Sequence, residues 1–243
     1  MTQVAALQEV YTLGVKNLPS CLISHTCLDS SVQNSHITDK DCIQQLSSYT
    51  PALDAIEYFD INFYDALSDG GKYRGPPTAD LDQNWHELWQ HEAIMVDTQA
   101  MFTLNRTHFD LYEKVDSEMS DGFTAMLKVH QQLGCLDIIR QYTWFLDGKY
   151  PKNLIPLELQ KPPDQNRMHV DRCIEDLRIS LMCYGDMTPL LITKDRDPDS
   201  GFKVELNSHH KCRNFTKLQE WTRIHGVEHW ENGGGFHQHG DRL

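Results

Sequence analysis

The feature that most limits the folds open to this chain is a pair of long helical patterns with cysteines among their apolar residues, Cys135 in the first and Cys173 and Cys183 in the second. From about His130 to Phe145, Leu133, Leu136 and Ile139 gather on one side, with Cys135 in the same stretch. From about Asn166 to Tyr184, Val170, Ile174, Leu177 and Leu181 recur at helical spacing, a stripe that belongs to a core. On the neighbouring face His169, Arg172, Cys173 and Asp176 fall at i, i+3, i+4 and i+7. Beyond this pair the sequence shows no internal repeat.

The other periodicities predict a mainly α fold with a few short β-strands, an α+β class. Leu81, Trp85, Leu88 and Trp89 place an amphipathic helix over Asp80 to Glu92. Thr38-Asp39-Lys40-Asp41 reads as a capping box opening a short helix through Leu46, with Pro51 as its stop. Partial alternation at Ile56, Tyr58, Ile61 and Phe63 predicts one or two strands, and Pro189 to Ile192 another. Four prolines between Pro151 and Pro163 mark a loop, Asp195 to Gly201 a charged turn, and Asn214 to Ile224 a third helix. We expect an N-terminal arm over 1–36 with a short helix near Leu7 to Val15, one domain over 37–230, and a glycine-rich flexible tail over 231–243.

Composition removes several function classes. A chain of 243 residues with 40% hydrophobic content can bury one sizeable core, so a single domain is expected. Against 22 Lys and Arg stand 35 Asp and Glu, and the net charge of -13 repels a phosphate backbone, which excludes nucleic acid as a partner. No apolar run approaches the roughly 18–20 residues that span a bilayer, so no membrane span is expected. Nucleotide-binding and hydrolase signatures are absent from the sequence. The seven cysteines include no C-x-x-C pair, which weakens zinc-ribbon and thioredoxin readings. Together with glycosylation sequons at Asn105 and Asn214, they point to an oxidising secretory compartment or to secretion. Asn214 also suits a helix N-cap.

Several collinear blocks resemble the UstYa-like family of fungal secondary-metabolite tailoring enzymes. Lys72 to Pro77 with Asp82 and Trp85-His86-Glu87-Leu88 resembles the segment ahead of the family's first His-x-x-His-Cys helix, and Gln132 to Arg140 resembles that helix itself. His169 to Asp186 resembles the second, and Cys212 to Phe215 with Glu220-Trp221 the C-terminal helix. The resemblance implies oxidative tailoring chemistry and paired histidines that bind copper. Aligned on the cysteines, Gln131, Gly134 and Arg172 stand where three of the four histidines belong, and only His169 remains. His130 lies one residue early, rotated about 100° around the helix. An arginine cannot surrender its proton to a cation, so no metal is expected and copper is kept as the alternative.

If the two helices pack face to face, the resemblance makes Cys135 and Cys173 candidates for a disulfide, with Cys183 and Cys212 a second candidate pair. Gln131, His169 and Arg172 then point into the former metal pocket, with Asp171 or Asp176 orienting them, His130 beside them, and Gly134 leaving volume. An amide, a guanidinium fork and an imidazole can polarise a carbonyl or hold developing negative charge without a cofactor. His86 and Trp85 are expected to roof the pocket, and Tyr73, Tyr184 and Asp186 join them by position. This set predicts a cofactor-independent cyclase, closing rings of Diels-Alder or hetero-Diels-Alder type on a polyketide or terpenoid intermediate. The alternatives are a copper-dependent oxidative tailoring enzyme and a non-catalytic small-molecule carrier. A homodimer is one assembly open to the chain.

Overall fold

The computed structural model describes residues 39–63, 71–115, 121–194, 199, 201–205 and 207–227. The expected arm with its short helix, the core of the charged turn, and the tail with His237 and His239 lie outside the described residues. The chain divides into two compact units, Met1–Asp54 and Ala55–Leu243. In the first, helix α1 spans Asp39–Leu46 and Lys40 pairs with Asp54.

The second unit is a mixed α+β structure, as the periodicities predict. Its elements run β1 (Tyr58–Asn62), α2 (Ala79–Trp89), β2 (Ile94–Asp97), α3 (Thr98–Thr103), β3 (Gly122–Ala125), α4 (Lys128–Leu146), α5 (Pro163–Tyr184), β4 (Leu191–Ile192), β5 (Val204–Glu205), β6 (His209–Arg213) and α6 (Phe215–Ile224). The strands form three antiparallel pairs, β1 with β6, β2 with β3 and β4 with β5. Strand β6 has no apolar alternation to betray it; its His-His-Lys-Cys-Arg sequence is held by pairing residue for residue with β1.

Local chemistry sets the helix ends. Thr78 accepts a hydrogen bond from the Leu81 N–H at 3.1 Å and opens α2, with Asp80 and Asp82 in the first turn favouring the positive end of the helix dipole. Pro163 begins α5, where a missing N–H costs nothing, and Gly185 ends it at φ +28° with its N–H on the Leu181 carbonyl. Asn214 realises its capping role: its Oδ1 accepts from the Lys217 N–H at 3.3 Å and its amide nitrogen donates to Glu57. Asn105 lies at the surface in the left-handed region, φ +56°.

Helices α4 and α5 are antiparallel. Lys128, at the start of α4, pairs with Asp176, whereas Cys135, two turns further along, bonds Cys173, one turn earlier on α5. Between them lies the core of Cys135, Ile138, Tyr142, Leu159, Val170 and Cys173, flanked by Ile139, Phe145, Ile155 and Leu177. Two 3-10 turns, Lys152–Leu154 and Leu157–Gln160, carry the chain across the top. The buried Asn166 fastens them to α5 by donating to the carbonyls of Leu159 at 2.9 Å and Lys161 at 3.1 Å.

The Cys135–Cys173 bridge is formed, with Cα atoms 4.9 Å apart. The second expected bridge is not. Cys183 is an exposed free thiol near the end of α5, and Cys212 is a half-buried free thiol opposite Phe59 in the β1–β6 pair. Cys42 is also disulfide-bonded. The Cys135–Cys173 bridge spans 38 residues, so removing it should cost roughly 3–4 kcal/mol through the unfolded chain's regained freedom. Urea denaturation of Cys135→Ser/Cys173→Ser against the unreduced parent measures this loss; equal midpoints would show that packing alone holds the helices.

Candidate functional site

The antiparallel pair fixes where the expected site residues go. Gln131 lies four residues before Cys135 and His169 four before Cys173, with Gly134 and Arg172 one residue before each cysteine. Since the helices run oppositely around the bridge, all four positions fall on one rim of the pair, and Gln131 and His169 end roughly 12 Å apart along it at 1.5 Å per residue. The rim is therefore an extended strip and not the single pocket expected from the sequence. Gly134 is buried beneath it.

Each end of the strip has its own partners. At one end Lys128 donates to Gln131 Oε1 at 2.8 Å and pairs with Asp176, while the Gln131 amide donates to Cys135 Sγ at 3.3 Å. Asp176 thus serves Lys128, and Asp171 is taken by Arg167 at 2.8 Å; neither has the role of orienting His169 or Arg172 expected of it. At the other end His169 is half-buried, and burial, then the positive charges of Lys161 and Arg172, lower its pKa and keep the imidazole neutral, against the opposing pull of Glu158. Arg172 beside it is exposed.

Glu158 also lines a groove of about 590 Å³ between α2, α4 and the 3-10 turns. Its apolar wall is Ile138, Leu154, Ile155 and Leu157, and its polar groups include Gln83, Gln141 and Asn153. His86 stands in the groove, its ring centroid 4.9 Å from that of Trp89 in an edge-to-face arrangement. Glu158 is thus shared between the groove and the surroundings of His169.

Behind the groove is a buried polar network. Asp137, 2% exposed, accepts from Trp89 Nε1 and Gln141 Nε2 at 3.1 Å each and from Arg140 Nε at 2.9 Å. Arg140 reaches on to Asp82 at 2.6 Å, where the Tyr150 hydroxyl also donates at 2.8 Å. Burial pushes the Asp137 carboxyl and the Tyr150 phenol upward in pKa, and the two carboxylates hold Arg140 charged against its own burial. The network ties α2 to α4 and sets the groove floor. The sequence places Trp89 on an apolar helical stripe and Asp82 in a family-like block, but it gives Asp137, Arg140 and Tyr150 no role of their own. The available signal was Asp137 and Arg140 at i, i+3 within an otherwise apolar stretch.

His130 is corrected most sharply. It is 1% exposed, packed against His91 with ring centroids 3.9 Å apart, so it cannot meet a substrate on the rim. Its Nε2 lies 3.3 Å from the Thr222 hydroxyl, which itself donates to the Leu218 carbonyl, and its Nδ1 lies 3.4 Å from the Leu88 carbonyl. Burial, reinforced by His91, lowers its pKa to about 4. Tyr184 and Asp186 lie beyond Asp176, past the Gln131 end of the rim, with Asp186 accepting from the Thr188 N–H and 3.5 Å from His210. Trp85 and Tyr73 do not roof the groove: they line a second cavity of about 360 Å³ with Leu136, Ile139, Arg140 and Trp144.

Copper requires several unprotonated donors converging on one point. Of the positions matching the expected ligands, His169 alone qualifies, and among the described residues no group of three or more His, Cys, Asp or Glu could hold a metal ion. The rim does not fit the ion.

Over residues 12–225 the sequence matches the family described as "Mycotoxin biosynthesis protein UstYa". The chain belongs to the UstYa family. Among its relatives in that family, the transacylase cctO of Talaromyces islandicus is 56% identical over 240 residues, covering 96% of this chain and 80% of its own. The UstYa family oxidase phomYc of Diaporthe leptostromiformis is 35% identical over 198 residues, covering 81% of this chain and 75% of its own. No solved structure matches. Among the described residues no helix is long and apolar enough to cross a membrane.

Two outcomes test this description of the UstYa-family core. Arg140→Met leaves the buried Asp137 and the half-buried Asp82 without the cation they share and should cost roughly 3–5 kcal/mol in urea denaturation. His130 is ordinary in the unfolded chain and titrates near 4 when folded, so between those values the unfolded state binds more protons. Stability should be full above about pH 6.5 and fall as pH drops toward about 4. His130→Gln should flatten that slope in thermal melts taken across this range.

Proposed function

We propose that this UstYa-family protein is a tailoring enzyme of fungal secondary metabolism that transfers an acyl group on a small-molecule substrate, using its own side chains and no metal. The observation that carries the reading is a neutral His169 beside Arg172 on the rim, next to an apolar-walled groove. The kinship with a transacylase supports it.

The groove takes the apolar part of the substrate, and the rim takes the reacting carbonyl. His169 removes the proton from the acceptor heteroatom as that atom bonds to the carbonyl carbon. Charge gathers on the carbonyl oxygen, where the Arg172 fork holds it; the substrate lying over the rim takes that fork out of water and strengthens the contact. Collapse breaks the bond to the original heteroatom, which leaves with the proton that His169 carries. Gln131 is too far along the strip to share that oxygen and instead contacts a more distant part of the substrate.

A second reading, metal-free ring closure of a polyketide or terpenoid intermediate, rests on the same Arg172 polarising a carbonyl, with the groove holding the reactive conformation. It needs no proton acceptor, and that separates the two. The Cys135–Cys173 bridge supports an oxidising secretory compartment as the place of work.

Activity of chelator-treated protein on acyl-bearing metabolites from its own gene neighbourhood is the direct test. Transfer should survive chelation and fall about 10²–10⁴-fold in His169→Gln, with Arg172→Lys also impaired because the fork is lost. Ring closure that survives His169→Gln but not Arg172→Ala would favour the second reading. Stoichiometric copper with chelation-sensitive turnover would overturn both.

A further inference from the structure

Helix α5 outlasts the helix that covers it. Lys128 is the first residue of α4 and pairs with Asp176, yet α5 continues to Tyr184, roughly 12 Å further at 1.5 Å per residue. The core-facing stripe does not stop where its cover stops. Val170 and Cys173 are buried and Leu177 is packed at the core's edge, and the same face then carries Leu181 and Tyr184, which are 75% and 72% exposed. Met187 and Leu191 extend the apolar surface and are exposed too. Contiguous apolar patches beyond a few hundred Å² mark interaction surfaces on soluble proteins.

We infer that a second copy of this chain docks there, α5 against α5 across a two-fold axis. The helical stripe is self-complementary under such an axis, and it continues the interface that α4 already makes with α5. Charge also favours a copy at this place. The chain carries -13 overall, but from Leu177 to Gly185 the only charged residue is Arg178, already paired with its own Glu175 at 2.6 Å. Two acidic molecules can meet over Leu177 to Gly185 with no carboxylate of that segment in the contact, the adjoining Asp186 being held 3.5 Å from its own His210, while pairing of Arg178 leaves little positive charge for an anionic lipid surface.

The full chain, tested by light scattering after size exclusion, should be a dimer whose dissociation is concentration-dependent. Leu181→Glu and Tyr184→Glu each place two carboxylates at the axis and should weaken it on the order of a hundredfold. Both positions are exposed, and an unchanged circular dichroism spectrum and melting point exclude misfolding. Cys183, an exposed free thiol on the same turn, supplies a second measurement in a Cys212→Ser background. A short bis-maleimide should link two chains through Cys183, and Cys183→Ser should remove the product. A monomer at the highest soluble concentration overturns the inference, as does a dimer indifferent to both Glu variants. So does a monomer that sediments with phosphatidylcholine vesicles and is released by Leu181→Glu, which would assign the face to lipid.

Discussion

The antiparallel contact of α4 with α5, closed by Cys135–Cys173, is the constraint on which the rest of the molecule depends. It sets the register of two helices of 19 and 22 residues, and the register decides which side chains share a rim and which are buried beneath it. A parallel arrangement would have set Gln131 and His169 at one level but on opposite sides of the pair. The antiparallel one separates them and gives each a local electrostatic setting of its own.

The second constraint is polar. Asp137 and Arg140 sit on the side of α4 turned away from α5, and with Asp82, Tyr150 and Trp89 they fasten α2 in place. The buried Asp137 and the half-buried Asp82 share one guanidinium through its Nε and Nη2, with Nη1 left unbonded, so the network is specific in geometry and costly to interrupt. Helix α4 thus works in two directions, through sulfur and apolar packing toward α5 and through charge toward α2. The groove lies where those two contacts leave a gap.

Membership of the UstYa family and loss of its histidine pairs are compatible because the frame and the chemistry are separable. The cysteines, the apolar core and the antiparallel register define the frame, while Gln131, His169 and Arg172 at the rim lie outside its apolar core. The groups this chain presents on the rim are a half-buried imidazole and an exposed guanidinium.

Much of this was legible in the sequence. The three long helices, the capping role of Asn214, the α+β class and the Cys135–Cys173 pairing follow from periodicity, side-chain chemistry and family resemblance, which are local or inherited properties. The β1–β6 pairing was not legible, because β6 is polar and its strand character comes from a partner about 150 residues away. Nor was the fate of His130. Its 100° offset from the ligand position could be read, but only the packing of α2 and α6 over it decided that it is buried, neutral and out of reach. By itself the sequence determined which helices form and which rim residues they present. The tertiary structure alone decided that those residues form a strip beside a groove, because the direction in which one helix crosses another depends on the whole core and is written in no single segment.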